Sequence, residues 1–175
     1  LLGAEHFVAN APFDVVRAQA MLNFDMVGRL RNDRLIVYGT GTAAEMPGIV
    51  DAANVAPRLD VSPVPDGFGP SDHSAFHGRG LPVLHFFTDL HDDYHRATDD
   101  ADLVNYEGMV RVVDYAERVA RRIADGPRLT PIRTQPRQTT TASAGDAAYF
   151  GSVPDMGAAA VPGLRLTGIT PGSPA

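Results

Sequence analysis

The sequence predicts an α/β protein in which helices cover both faces of a sheet. Two observations support this fold class. Short apolar segments of strand length alternate with segments whose apolar residues recur every three or four positions, and turn residues such as Gly39-Thr40-Gly41 separate them. Such alternation is typical of a sheet that packs helices on both sides. A chain of 175 residues has room for one medium domain and an appendage.

The predicted strands are apolar runs that end at glycine, proline or polar residues. The run at residues 19–27 ends at Gly28, and its polar members Asn23 and Asp25 stand out against their apolar neighbours. The other predicted strands are residues 34–38, 58–64 and 81–87.

Helices are predicted before, between and after these strands, at residues 1–10, 43–53, 71–78 and 105–124. Ser71 is expected to cap the third of them, and Asn105 the fourth. The fourth also shows one apolar stripe at helical spacing, made of Tyr106, Met109, Val113, Ala116, Ala120 and Ile123.

Composition divides the chain into three predicted parts. Residues 1–125 carry the strands and helices of the main domain. Residues 126–146 are rich in Thr, Arg, Pro, Gln and Ser without apolar periodicity, which is typical of a flexible linker. Residues 147–175 contain short segments that resemble strands of a second module.

Charge and residue usage exclude several classes of function. All 15 basic residues are Arg, the net charge is −6 and no basic block occurs, so nucleic acid is not an expected partner. The chain has no cysteine, so a metal would have to be held by His and carboxylates. No apolar run reaches the length of a membrane span. The N-terminus shows no signal features, and a signal peptide would lie upstream.

Two segments carry candidate metal ligands. Asp25 ends a buried apolar strand, where a carboxylate is costly unless it is paired or bound to metal; a salt bridge to Arg29 or Arg31 is the alternative. Residues 89–102, directly after the strand at 81–87, contain six Asp and two His. Oxygen and imidazole donors of this kind suit Zn²⁺ or similar ions. The alternative for this segment is a solvated acidic loop.

A third segment, residues 66–76, joins two glycines and a proline to a short helix. It could bring backbone close to a substrate, or it could be an ordinary loop. His73 and His77 lie four residues apart, but the Glu of the zinc-protease helix motif is absent. Core or exposed histidines are therefore the favoured interpretation of both. Neither a nucleophile elbow nor a phosphate-binding loop is present.

Taken in order, four segments resemble the C-terminal half of the two-zinc aminopeptidase family, which includes leucyl-type and aminopeptidase Y-type enzymes and relatives such as glutamate carboxypeptidase. They are residues 1–7, Asn23-Phe24-Asp25-Met26-Val27-Gly28, Ser71-Asp72-His73-Ser74-Ala75-Phe76 with Gly80-Leu81-Pro82-Val83, and Tyr94-His95-Arg96-Ala97-Thr98-Asp99. The resemblance implies the mixed-sheet zinc-exopeptidase sandwich over residues 1–125. It also implies hydrolysis of N-terminal residues from peptide substrates.

The resemblance assigns roles to individual residues. Asp25 and His95 match two of the five zinc ligands of the family and would bind different ions of a pair. Tyr94 matches the tyrosine that hydrogen-bonds the developing oxyanion in several relatives. Phe68, Gly69 and Ser71 lie where the family lines its substrate pocket. The other ligands and the general base would precede residue 1, so we expect this chain alone to be inactive.

Several alternatives stay open within the same resemblance. The parent protein could be a carboxypeptidase, a glutaminyl cyclase or a binding protein that has lost its metals. Residues 147–175 resemble the first strands of a PDZ domain, which would bind a peptide ligand by strand addition. The resemblance leads us to expect an extracytoplasmic location.

Overall fold

A computed structural model describes residues 2–134 in full and the backbone of two short strands at residues 152–154 and 166–169. These residues form two compact units. The first comprises residues 2–89 and 102–134, and the second comprises residues 90–101 and the two short strands. None of the helices in the described residues is both long and apolar enough to cross a membrane.

The first unit is built on a four-stranded sheet, as the alternation of strands and helices predicts, and the sheet is mixed, as the family resemblance implies. Its strands are β1 (Met21–Asp25), β2 (Arg34–Tyr38), β3 (Asp60–Val64) and β4 (Val83–Phe87). They lie in the order β1-β4-β2-β3. β1 runs parallel to β4 and β2 parallel to β3, whereas β2 and β4 are antiparallel. The predicted strand at residues 34–38 has the observed bounds, and the other three are shorter than expected.

The helices are α1 (Leu2–Ala9), α2 (Met46–Ala53), α3 (His73–Gly78) and α4 (Tyr106–Ala124). α2 starts three residues later than expected because Pro47, which lacks a backbone N–H, fits its first turn. Two short 3₁₀ turns occur at Val15–Arg17 and Ala101–Leu103.

The two faces of the sheet differ in chemistry because successive side chains of a strand point in opposite directions. One face carries Leu35, Val37, Leu84 and Phe86, which are fully buried in a core shared with α2 and α4. The opposite face carries His85, whose ring stacks on His73 of α3. The expected helices therefore lie on both faces, and the polar side chains gather on the α3 side.

Helix α4 begins at the expected cap but faces the core differently from the prediction. The Asn105 side chain accepts a hydrogen bond from the backbone N–H of Gly108. The stripe predicted through Tyr106 and Val113 is wrong at both positions, which are 57% and 51% exposed. Neighbouring positions take their place in the core, where the buried residues are Gly108, Val112, Tyr115, Ala116, Val119 and Ile123.

The cap predicted for α3 is also wrong. The helix begins at His73, its N-cap is Asp72, and no side chain makes the capping hydrogen bond. Ser71 lies one residue before the cap, and its hydroxyl is used elsewhere. Its backbone C=O still accepts from the N–H of Ser74, which closes the first turn.

Residues 128–134 belong to the first unit, beyond the boundary expected at residue 125. Thr130 donates from both its backbone N–H and its hydroxyl to the carboxylate of Glu45. Pro131 forms a β-bridge with Ala43, and Thr134 reaches the loop before α3. The rest of the predicted linker, residues 135–146, lies outside the described residues.

The second unit contains the acidic loop at residues 90–101 and an antiparallel pair of strands, β5 (Ser152–Pro154) and β6 (Leu166–Ile169). Short strands are predicted in residues 147–175, and the described part of this segment contains β5 and β6. The PDZ assignment stays a prediction, since most of residues 147–175 lie outside the described part.

Candidate functional site

Asp25 is the last residue of β1, and its side chain is half-buried. The carboxyl end of a strand in an open α/β sheet is where ligands bind. Because Asp25 and Asn23 are two residues apart on one strand, both side chains lie on the face that also carries His85.

A serine, and not an arginine, is the partner of Asp25. The hydroxyl of Ser71 donates a hydrogen bond to Oδ2 of Asp25 over 2.7 Å. Within the part of the chain that the structure describes, neither Arg29 nor Arg31 forms an ion pair with Asp25, so the salt-bridge alternative does not hold. The second carboxylate oxygen has no partner among those residues, and it can therefore accept a cation.

Asn23 links Ser71 to a buried histidine. Its side-chain Nδ2 lies 2.8 Å from Oγ of Ser71 and 3.0 Å from Nδ1 of His85. The ring of His85 is stacked against Tyr38, His73 and Phe87 at centroid distances of 5.5, 4.5 and 5.7 Å. The carboxylate is thus connected through two polar side chains to a ring that stacking holds in place.

Three histidines are buried in or beside this network, as expected for core histidines: His73, His77 and His85. Neither ring nitrogen of His73 has a hydrogen-bond partner among the described residues. His77 contacts Oγ1 of Thr134 through Nε2 at 2.9 Å, and its Nδ1 has no partner there. Buried imidazoles without compensating bonds favour the neutral form.

The pKa values of the three buried histidines are lowered, which also favours neutral rings. Burial is the largest cause that lowers the pKa of His73 to about 4, and the nearby rings of His85 and His77 act in the same direction. The negative charges of Asp25 and Asp66 oppose this shift only in part. Burial also lowers the pKa of His77 and of His85.

The predicted substrate-binding residues Phe68 and Gly69 lie in the loop between β3 and α3. The ring of Phe68 meets His77 edge to face at 4.7 Å, so it is half-buried against α3. Gly67 before it has no room for a side chain, because a Cβ would come within 2.5 Å of Thr42 and 2.8 Å of His77. The hydroxyl of Thr134 accepts the Gly67 N–H at 3.0 Å and fixes the loop from the other side.

Tyr94 and His95 lie in the acidic loop of the second unit. Their rings are in contact at a centroid distance of 3.9 Å, and His95 is exposed with a φ of +56°. His91 is buried nearby, and its Nε2 lies 3.8 Å from Oδ2 of Asp99. Asp25 belongs to the other unit, so the assignment of Asp25 to one zinc ion of a pair and of His95 to the other stays a prediction.

The described residues fit a part of a zinc site. Asp25 has the properties of a carboxylate ligand, since one oxygen is hydrogen-bonded and the other has no partner in the part of the chain that the structure describes. However, no group of three or more His, Cys, Asp or Glu side chains in the described residues could hold a metal ion. Catalytic zinc sites use three protein ligands, so further ligands are needed to complete the site.

The sequence pattern of peptidase family M28 matches residues 1–120. The chain belongs to this family. No curated protein matches the chain.

Solved structures of aminopeptidases share the fold of this M28 chain. The LapA aminopeptidase of Legionella pneumophila is 22% identical with a TM-score of 0.59, over 71% of this chain and 36% of its own. The aminopeptidase of Aneurinibacillus sp. strain AM-1 is 24% identical with a TM-score of 0.56, over 75% and 31%. The zinc aminopeptidase BSAP of Bacillus subtilis is 19% identical with a TM-score of 0.59, over 76% and 36%. The chain thus spans about a third of the length of each.

The sequence singled out Asp25 and Ser71 as candidates but did not show how they are connected. Ser71 is predicted to cap α3, whereas its hydroxyl donates to Asp25; its place in a substrate pocket stays a prediction. Asn23 stood out as a polar residue in an apolar strand without receiving a role. The signal was its two-residue spacing from Asp25, together with a histidine in the otherwise apolar strand β4.

Proposed function

We propose that this chain is part of a zinc-dependent aminopeptidase, which removes N-terminal residues from peptides. Membership of peptidase family M28 and the fold shared with solved aminopeptidases support the reaction class. The single observation that carries the proposal is the geometry of Asp25. This carboxylate ends a strand, accepts from a serine through one oxygen and has no partner on the other among the described residues, as a metal ligand should.

The proposed site binds two zinc ions, with Asp25 on one and His95 on the other. When bound, the ions would supply Lewis acids that activate a water and polarise the scissile carbonyl. Tyr94 would donate its hydroxyl hydrogen to the oxyanion that develops on that carbonyl. The contact between the Tyr94 and His95 rings supports this assignment, because it keeps the hydroxyl close to a proposed ligand.

Phe68, Gly69 and Ser71 are proposed to contact the N-terminal side chain of the substrate. The half-buried ring of Phe68 on His77 offers an apolar surface. The hydroxyl of Ser71 donates its hydrogen to Asp25. Only the backbone of Ser71 and the remaining lone pairs of its hydroxyl are therefore available to a substrate. The proposal therefore favours apolar N-terminal residues.

A protein that has lost its metals is the main alternative outside catalysis. The presence of both Asp25 and His95 argues against it, because a site that has lost its metals does not need to keep either ligand. A carboxypeptidase and a glutaminyl cyclase stay alternatives within the family, and assays of the full-length protein with their substrates separate them from an aminopeptidase. We further propose an extracytoplasmic location and, for residues 147–175, the start of a PDZ domain that binds a peptide.

The test is metal content and hydrolysis by the full-length protein. Asp25→Ala and His95→Ala should each lower the zinc content, measured by mass spectrometry, and each should abolish hydrolysis of aminoacyl nitroanilides. Asp60→Ala and His6→Ala serve as matched controls, since both residues are exposed in the first unit, and they should change neither measurement. Unchanged zinc content in both Asp25→Ala and His95→Ala would exclude the proposed site.

A further inference from the structure

The polar face of β1 contains a chain of hydrogen bonds whose direction can be worked out from its donors. The amide nitrogen of Asn23 carries two hydrogens and has no acceptor capacity. It lies at hydrogen-bond distance from both Ser71 Oγ and His85 Nδ1, so it donates one hydrogen to each.

These two donated hydrogens determine the direction of the Ser71 hydroxyl and the tautomer of His85. Ser71 accepts from Asn23, and its single hydroxyl hydrogen is then free to point at Oδ2 of Asp25, which only accepts. His85 accepts through Nδ1, so a neutral ring carries its hydrogen on Nε2. A serine at this position without Asn23 could rotate its hydroxyl away from the carboxylate.

The parts of this chain are held rigidly. Asn23 and His85 are register partners across the parallel strands β1 and β4. His85 is only 6% exposed and lies parallel to His73, with 10° between the ring planes. Side chains fixed by a strand ladder and by stacking lose little further entropy when they orient a neighbour.

We propose that Asn23, anchored on His85, fixes the direction of the Ser71 hydroxyl and thereby positions the Asp25 carboxylate for a cation. Asn23 and His85 are positioning residues, because they act through Ser71 and do not touch the ligand. The inference rests on the proposed role of Asp25 as a metal ligand. It adds two residues and a defined direction of hydrogen bonding to that role.

Zinc affinity of the full-length protein, measured by chelator competition, tests the inference. Asn23→Leu keeps the shape of the side chain and removes both donors. It should weaken the ion bound by Asp25 by about 10- to 100-fold, the usual effect of removing a partner that orients a ligand. In a protein that already carries Ser71→Ala, adding Asn23→Leu should have little further effect, because Asn23 acts only through Ser71.

Asn54→Leu is the matched control for a merely structural loss. The Asn54 amide donates to the C=O of Leu59 and accepts from its N–H, so the substitution also breaks two hydrogen bonds. It should lower the melting temperature of the zinc-free protein as Asn23→Leu does, but leave zinc affinity unchanged. Equal affinity losses in both variants would overturn the inference.

The tautomer of His85 gives a readout that does not involve zinc. Nitrogen NMR of the zinc-free protein labelled in histidine should show His85 with a bare Nδ1 and a hydrogen on Nε2. A hydrogen on Nδ1 would mean that Asn23 presents its oxygen, and the proposed direction would be wrong.

If Asp25→Ala retains both zinc ions, the proposed function fails. If Asp25→Ala loses zinc while Asn23→Leu binds it normally, only the present inference fails.

Discussion

The imidazole of His73 lies parallel to that of His85, with ring centroids 4.5 Å apart and 10° between the planes. Both rings are buried, and His73 has no hydrogen-bond partner among the described residues. Two imidazolium ions could not occupy these positions, because neither charge would be solvated. The face of the sheet that carries Asp25 is therefore built on rings that must stay neutral.

We expect the free energy of unfolding to fall on acidification because of His73. Its pKa is about 4 in the folded protein, against 6.5 for an unperturbed ring, so the unfolded chain binds more protons between these values. Stability is then complete above pH 6.5 and is lost as the pH falls towards 4, by about 3 kcal/mol in all.

Urea unfolding at a series of pH values measures this effect. His73→Phe keeps a ring against His85 and cannot be protonated, so the difference in stability between this variant and the parent should grow in the variant's favour from pH 6.5 to pH 4. Carboxylates titrate in both proteins and cancel in the comparison. A difference that does not change with pH would mean that His73 accepts a proton without unfolding.

The two neighbouring valines of α4 should respond very differently to truncation. Val112 is fully buried and Val113 is 51% exposed. Val112→Ala removes two methyl groups from the core and should lower the free energy of unfolding by about 2 kcal/mol. Val113→Ala should change it by less than about 0.5 kcal/mol. A larger loss of stability in Val113→Ala than in Val112→Ala would show that the apolar stripe predicted from sequence faces the core.

The strands and helices of the first unit could be predicted from sequence because apolar runs and turn residues mark them directly. The facing of α4 could not, because its apolar residues extend around more than one side. Tyr106, Val110 and Val113 form a stripe as regular as that of Val112, Tyr115 and Val119. Only contact with the sheet, where Phe86 packs edge to face on Tyr115, selects the buried side.

In the candidate site, too, local sequence patterns predict one residue, and tertiary packing decides its partner. Asp25 could be identified because a carboxylate in an apolar strand needs a partner. The partner could not, since Ser71 is 46 residues away and looked like a helix cap. Its position depends on how β1 and α3 pack together, which no local pattern in the sequence contains.

Replacing Tyr94 with Phe should lower turnover more than it changes the KM, because an oxyanion contact strengthens only in the transition state. Loss of one such donor costs about 100- to 1000-fold in kcat. Tyr106→Phe is the control, since Tyr106 is exposed at the start of α4. Steady-state kinetics and zinc content should be measured on both variants. Normal turnover in Tyr94→Phe would leave Tyr94 as a residue that packs on His95.

Residues 1–175 alone should have no hydrolytic activity, even with added zinc. Asp25 and His95 are the proposed ligands in the described residues, and no group of three possible ligands occurs there. A catalytic zinc ion needs three protein ligands, and hydrolysis also needs a general base close to the water. None of the four glutamates of this chain matches the motif position of that base.

The measurement compares purified residues 1–175 with the full-length protein on aminoacyl nitroanilides over a range of zinc concentrations. The chain should bind zinc weakly, and Asp25→Ala should change that binding little, because a single carboxylate holds an exposed ion poorly. Zinc-dependent hydrolysis at the rate of the full-length protein would show that the missing ligands and the base lie within these 175 residues. The assignment of Asp25 and His95 to a shared pair of ions would then have to be abandoned.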